Sequence, residues 1–154
     1  MIAIRKILVP VDFSTHAQGA QVWAVELARR YDAGLTLLHV YQPISYALPE
    51  GYVLPSANLL ADLEVSLGAA LDDAKRQLES SPGLRIDTSL VQGVPFAEIV
   101  RFAREGGYDL IVLSTHGRTG IRHALLGSVA EKVVRKAPCP VLTVRPHGHE
   151  FERP

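Results

Sequence analysis

Ser114, Gly117, Arg118, Gly127 and Ser128 are the residues whose types and spacing could do chemistry, and that chemistry is the holding of an anion. The polar, glycine-bearing stretch Ser114-Thr115-His116-Gly117-Arg118-Thr119-Gly120 directly follows the apolar run Leu110-Ile111-Val112-Leu113, and Gly127-Ser128 opens a new amphipathic segment. A strand, a loop and a helix start in that order present unpaired backbone N–H groups and the positive end of a helix dipole to a ligand. Gly117 and Gly127 lack a Cβ, which allows close approach or a positive φ. Ser128 followed three residues later by Glu131 has the form of a capping box and starts the helix at that serine. Read alone, Gly127-Ser128 is equally a simple turn and cap.

Other chemistries fit less well. VPVDFSTHAQG after the first strand lacks the glycines of a dinucleotide fingerprint, no glycine-lysine pair exists for a Walker loop, and G-x-S-x-G is absent. Ser114 or Ser128 with His116 and Asp12 could form a hydrolytic triad only by coincidence of residues common in polar loops. His116 with His123, or His147 with His149, lacks the cysteines or carboxylates that would complete a metal site. Phosphate binding survives these tests. Gly117 and Gly127 bracket nine residues that include Arg118 and Arg122, so helix-start N–H groups, the Ser128 hydroxyl and a guanidinium could hold a polyphosphate. Asp12 could accept from ribose hydroxyls or cap the following helix. Val40 could wall a base or be ordinary core.

The elements that must position these residues alternate along the chain. Residues 4–11 read as a strand covered on both faces, followed by a helix to about Arg30 that Ser14 or Asp12 caps. Ala20, Trp23, Ala24, Leu27, Ala28 and Tyr31 mark its expected core face. Residues 35–40 form a second buried strand. Residues 41–56, with three prolines and three tyrosines, read as a long irregular connection, either a lid or partner surface or a solvated insertion. A long amphipathic helix over residues 60–78, an edge strand at 85–91, a helix opened by Pro95 and ended by Gly106-Gly107, and a strand at 109–113 follow. The helix Ser128 to Lys136 and a short strand from Val141 to Arg145 close the domain, and the tail 147–154 is expected to be disordered. This alternation predicts an α/β doubly wound five-stranded parallel sheet, strand order 3-2-1-4-5, with helices on both faces. The order reverses between strands one and four, which end at Asp12 and Ser114, so both meet at the crevice where such folds bind ligands.

The totals bound the rest. A chain of 154 residues, 47% apolar and 21% charged, suits one domain. Lysine plus arginine equals aspartate plus glutamate at sixteen each, so no global field favours nucleic acid or an acidic membrane. The lone Cys139 leaves no internal disulfide. With no signal-like start and no apolar run near eighteen residues, the expectation is a cytoplasmic protein that engages neither membrane nor nucleic acid.

Over residues 1–146 the chain resembles the universal stress proteins. The residues that carry the resemblance are KILVPVDFS at 6–14, LLHV at 37–40 and STHGRTGIRHALLGSVAEKVVRKAPCPVLTVR at 114–145. Nucleotide-binding members of that family carry G-x2-G-x9-G-[ST], here Ser114, Gly117, Gly127 and Ser128, with serine at the first glycine position. The resemblance implies ATP or a related adenine nucleotide with Mg2+ or Mn2+ held mainly by the phosphates. It also implies a binding set of Pro10, Val11, Asp12, Val40, Ser114, His116, Gly117, Arg118, Gly127, Ser128 and Val129. A homodimer through the strand Val141 to Arg145 and a stress-response regulatory role with an unknown protein partner are implied as well. The alternatives are a slow ATPase, with His116 or a metal-bound water assisting attack, and a nucleotide-free scaffold.

Overall fold

Three runs of aliphatic residues lie side by side at the centre of the molecule, and their alternation sorts them into two cores. The computed structural model describes residues 2–43, 46–48, 51–53, 56–79, 83–115 and 126–145. In chain order the elements are β1 (Lys6–Pro10), α1 (Thr15–Tyr31), β2 (Gly34–Tyr41), β3 (Tyr46–Leu48), β4 (Gly51–Val53) and α2 (Ala57–Leu78). Then come β5 (Ile86–Gln92), α3 (Pro95–Gly106), β6 (Leu110–Ser114), α4 (Ser128–Lys136) and β7 (Val141–Val144). The main sheet is parallel throughout, in the order β5-β2-β1-β6-β7. With its strands counted along the chain this is 3-2-1-4-5, as the alternation predicts.

Ile7, Val9, Leu35, Leu37, Leu110 and Val112 point to one face, where α1 and α2 cover them. Leu8, Leu38, Ile111 and Leu113 point to the other, under α3 and α4. Coverage on both faces is why these strands read as continuous apolar runs rather than alternating ones. β1 and β6 are further tied at their starts, where the Asp109 carboxylate accepts from the N–H groups of Arg5 (2.8 Å) and Lys6 (3.0 Å).

Local departures from the sequence reading have physical causes. α1 turns its small residues to the sheet: Ala17, Ala20, Gln21, Ala24, Val25 and Ala28 are buried, whereas Trp23 is 52% exposed and Tyr31 44% exposed. A helix seated closely on a sheet has no room for an indole, so the expected core face is rotated by one position. The segment 41–56 is not irregular throughout. Tyr41 completes β2, and β3 and β4 pair antiparallel as a short hairpin. α2 starts at Ala57, earlier than the leucine pattern predicts, because the Ser56 side chain accepts from the Leu59 N–H and caps it. The tail 147–154 lies outside the described residues.

Candidate functional site

The ends of β1 and β2 are locked together by a buried histidine. Val11 N–H donates to Leu38 O (2.9 Å), and the carbonyl of Val11 lies 2.7 Å from Nδ1 of His39, which donates to it in the Nδ1–H tautomer. His39 is 6% exposed. The next residues turn sharply. Phe13 adopts φ 61°, the left-handed region that an aromatic side chain rarely enters, and its ring rests on that of His39 with centroids 4.4 Å apart. Ser14 then caps α1, its Oγ accepting from Ala17 N–H (3.3 Å). Asp12 does not cap the helix. Its Oδ1 accepts from Ser14 N–H (3.0 Å) and from Ser14 Oγ–H (2.6 Å), which leaves Oδ2 without a partner among the described residues.

On the other side of the sheet reversal, Thr115 gathers three elements. It is 3% exposed, its N–H donates to Val144 O of β7 (2.9 Å), and its carbonyl accepts from Gly127 N–H (2.6 Å). Gly127 is therefore the N-cap of α4, with φ −65° and ψ 154° and no side-chain cap bond. The expected capping box between Ser128 and Glu131 does not form. Thr115 fixes the cap one residue earlier, Ser128 is already helical, and Glu131 pairs instead with Arg135 (2.7 Å). Nor does Gly127 use a positive φ. The first intrahelical bond is Glu131 N–H to Gly127 O (2.9 Å), so the N–H groups of Ser128, Val129 and Ala130 have no acceptor among the described residues.

These two constructions face each other across a cleft of about 680 Å³, a volume in the range of small-molecule sites. Pro10, Val11, Asp12, Val40, Ser114, Gly127, Ser128 and Val129 all line it. His116, Gly117 and Arg118, with Arg122 and His123, lie outside the described residues. The cleft also takes in residues that the sequence did not single out: His39, Tyr41 and Thr115, and Leu59, Leu60, Leu63 and Leu67 from α2. His39 could have been noticed as the one polar residue near the end of an otherwise apolar strand. The α2 leucines carried no such signal, because they share the periodicity of a core face. Among the described lining residues none is a lysine or arginine. The α4 N-terminus contributes positive potential there.

Parallel strands with helices on both faces and a cleft where the strand order reverses define a doubly wound α/β protein with its cleft at the topological switch point. Residues 3–145 match the universal stress protein family, and the chain belongs to that family. It is 39% identical over 144 residues to a universal stress protein of Methanocaldococcus jannaschii, covering 92% of this chain and 82% of that one. Among solved structures, the universal stress protein UspA from Lactobacillus plantarum has a TM-score of 0.78 at 32% identity, covering 93% of this chain and 99% of that one. A universal stress protein solved in complex with cAMP has a TM-score of 0.69 at 24% identity, over 93% of this chain and 98% of that one. At that identity the likeness carries the fold alone.

Proposed function

We propose that this protein binds an adenine nucleotide, ATP with Mg2+ or Mn2+, in the switch-point cleft, and that it acts as a dimeric stress-response regulatory module. The observation that carries this reading is the pairing, across one cleft, of the Asp12 carboxylate with the three N–H groups that open α4 and have no acceptor among the described residues. In it, Ser128, Val129 and Ala130 N–H and the Ser128 hydroxyl receive the phosphates. Asp12 Oδ2 accepts from the ribose hydroxyls, and Pro10, Val11 and Val40 flank the base. This reading puts the cation mainly on the phosphates, as the family resemblance implies. Gly117 and Arg118 belong to the phosphate-binding set, and His116 contributes from the same segment. Ser114, at the end of β6, replaces the first glycine of the family motif, and a hydroxymethyl group is small enough for the cleft to keep its opening.

The dimer in this reading forms through β7, which lies at the open edge of the sheet beside β6. An apolar edge strand is a pairing template unless it is covered. Mass spectrometry of gently denatured purified protein, followed by calorimetric titration with Mg-ATP and with cAMP, tests the nucleotide reading. A co-purifying adenine nucleotide or saturable binding is expected. Neither, in folded protein, would overturn it.

A further inference from the structure

Among the described residues, α2 is anchored in the core at one end only. Its single buried residue is Leu71, which packs with Ala74 and Leu78 into the core shared with α1. Over residues 57–66 every position is exposed except the half-buried Leu60. The first half of the helix therefore runs on for about 20 Å beyond its anchor, at 1.5 Å per residue. Leu59, 60% exposed, and Leu63, 38% exposed, nonetheless line the cleft with Leu60 and Leu67. Apolar side chains held open to water above a cleft need something to keep them there. The Tyr41 hydroxyl, at the end of β2, donates to Glu64 Oε1 on this half of α2. Among the described residues no other side-chain hydrogen bond or ion pair joins residues 57–66 to the sheet. The bond to the carboxylate, together with burial, pushes the Tyr41 hydroxyl up to about 12, so it remains a donor throughout the neutral range.

Strand order says which end of a ligand this wall would meet. α2 packs beside β2 and β5, and β1 and β6 stand between β2 and the start of α4. We propose that Tyr41 and Glu64 are positioning residues that hold the first half of α2 as the apolar wall for the purine, and so set affinity for the base rather than for the phosphates. The proposal rests on the nucleotide reading above. Neither side chain need touch the ligand's phosphates; the pair acts through Leu59, Leu60 and Leu63.

Calorimetric titration of the wild type, Tyr41→Phe, Glu64→Ala, Glu64→Gln and the Tyr41→Phe/Glu64→Ala double variant tests it, with Mg-ATP and Mg-tripolyphosphate as probes. Tyr41→Phe and Glu64→Ala are each expected to weaken ATP by about fivefold, the weight of one hydrogen bond of pre-organisation. The double variant should lose no more than either single one. Glu64→Gln keeps an acceptor for the phenol and should restore most of the loss. Tripolyphosphate should bind all of them alike. Unchanged ATP affinity in both single variants, or a parallel loss for tripolyphosphate, would overturn the proposal. If wild type binds no nucleotide at all, the functional reading fails and hydrogen exchange judges the pair by itself. Exchange over residues 57–66 should then be about tenfold faster in Tyr41→Phe and unaltered over 70–78. Equal protection of 57–66 in the variant and wild type would show that the pair holds nothing.

Discussion

The backbone N–H of Gly127 donates to the carbonyl of Thr115 across 2.6 Å, joining the end of β6 to the start of α4. That N–H is therefore spent inside the protein, and the glycine matters for the space beside it rather than as a phosphate donor. Its dihedrals, φ −65° and ψ 154°, suit any residue. Gly127→Val should keep the fold, with about 1 kcal/mol lost from a poorer N-cap. It should abolish ATP binding, since two methyl groups then stand at the mouth of the α4 N-terminus. Titration below the melting temperature checks this; wild-type affinity in a folded variant would place the phosphates elsewhere.

Ser128→Ala separates binding from capping. Because Gly127 is the cap and Ser128 makes no cap bond, the change should leave stability within about 0.5 kcal/mol. Loss of a hydroxyl contact to a charged phosphate should weaken ATP by about 1–3 kcal/mol. Thermal melts and titration of one preparation measure both.

Asp12 and Ser14 divide two roles that the sequence left joined. Ser14→Ala removes the α1 cap and should cost about 0.5–2 kcal/mol of stability. Asp12→Ala leaves that cap in place and should chiefly lose nucleotide affinity. If Asp12→Ala instead melts earlier than Ser14→Ala and binds ATP as the wild type does, its carboxylate serves only the turn.

Asp109 contributes to the acid sensitivity of the fold. Hydrogen bonds from Arg5 N–H and then Lys6 N–H hold its carboxyl below the ordinary carboxylate range. A depressed folded value means stability that is present above the unfolded value of about 3.9 and lost as pH falls through the lower folded one. Denaturant unfolding from pH 6 to pH 2 should show that loss, and Asp109→Asn should make it shallower.

For the edge strand β7, light scattering at micromolar concentration should give twice the 16.8 kDa chain mass. A monomer would sink the dimer.

The sheet order was legible because β1, β2 and β6 are covered on both faces and are therefore mainly aliphatic. The α1 face was misjudged at Trp23 and Tyr31, since hydrophobicity counts an indole as core while close helix-on-sheet packing demands alanine. The three-residue strands β3 and β4 are too short to show a period. Asp12, Gly127 and Ser128 stood out through loop chemistry. His39, Thr115 and Glu64 did not, because what they do depends on partners 28, 12 and 23 residues away, which no local pattern records.

The bonds from Asp109 to Arg5 and Lys6 span 104 and 103 residues, and they extend the register of β1 on β6, Ile7 to Leu110 and Leu8 to Ile111. The two central strands are thus among the most distant partners in the chain, and closing so long a loop carries its entropy cost before any contact rewards it. A chain emerging from synthesis has β1 with one flank bare until most of the domain has followed. Asp12 lies just past one of these strands and Ser128 opens the helix that follows the other. A ligand spanning them recognises only chains in which that late seam has closed, and at a hundredfold excess over its dissociation constant it adds about 2.7 kcal/mol against the seam reopening. Occupancy of the cleft would then double as a marker of completed assembly, sorting finished molecules from those still open along their middle.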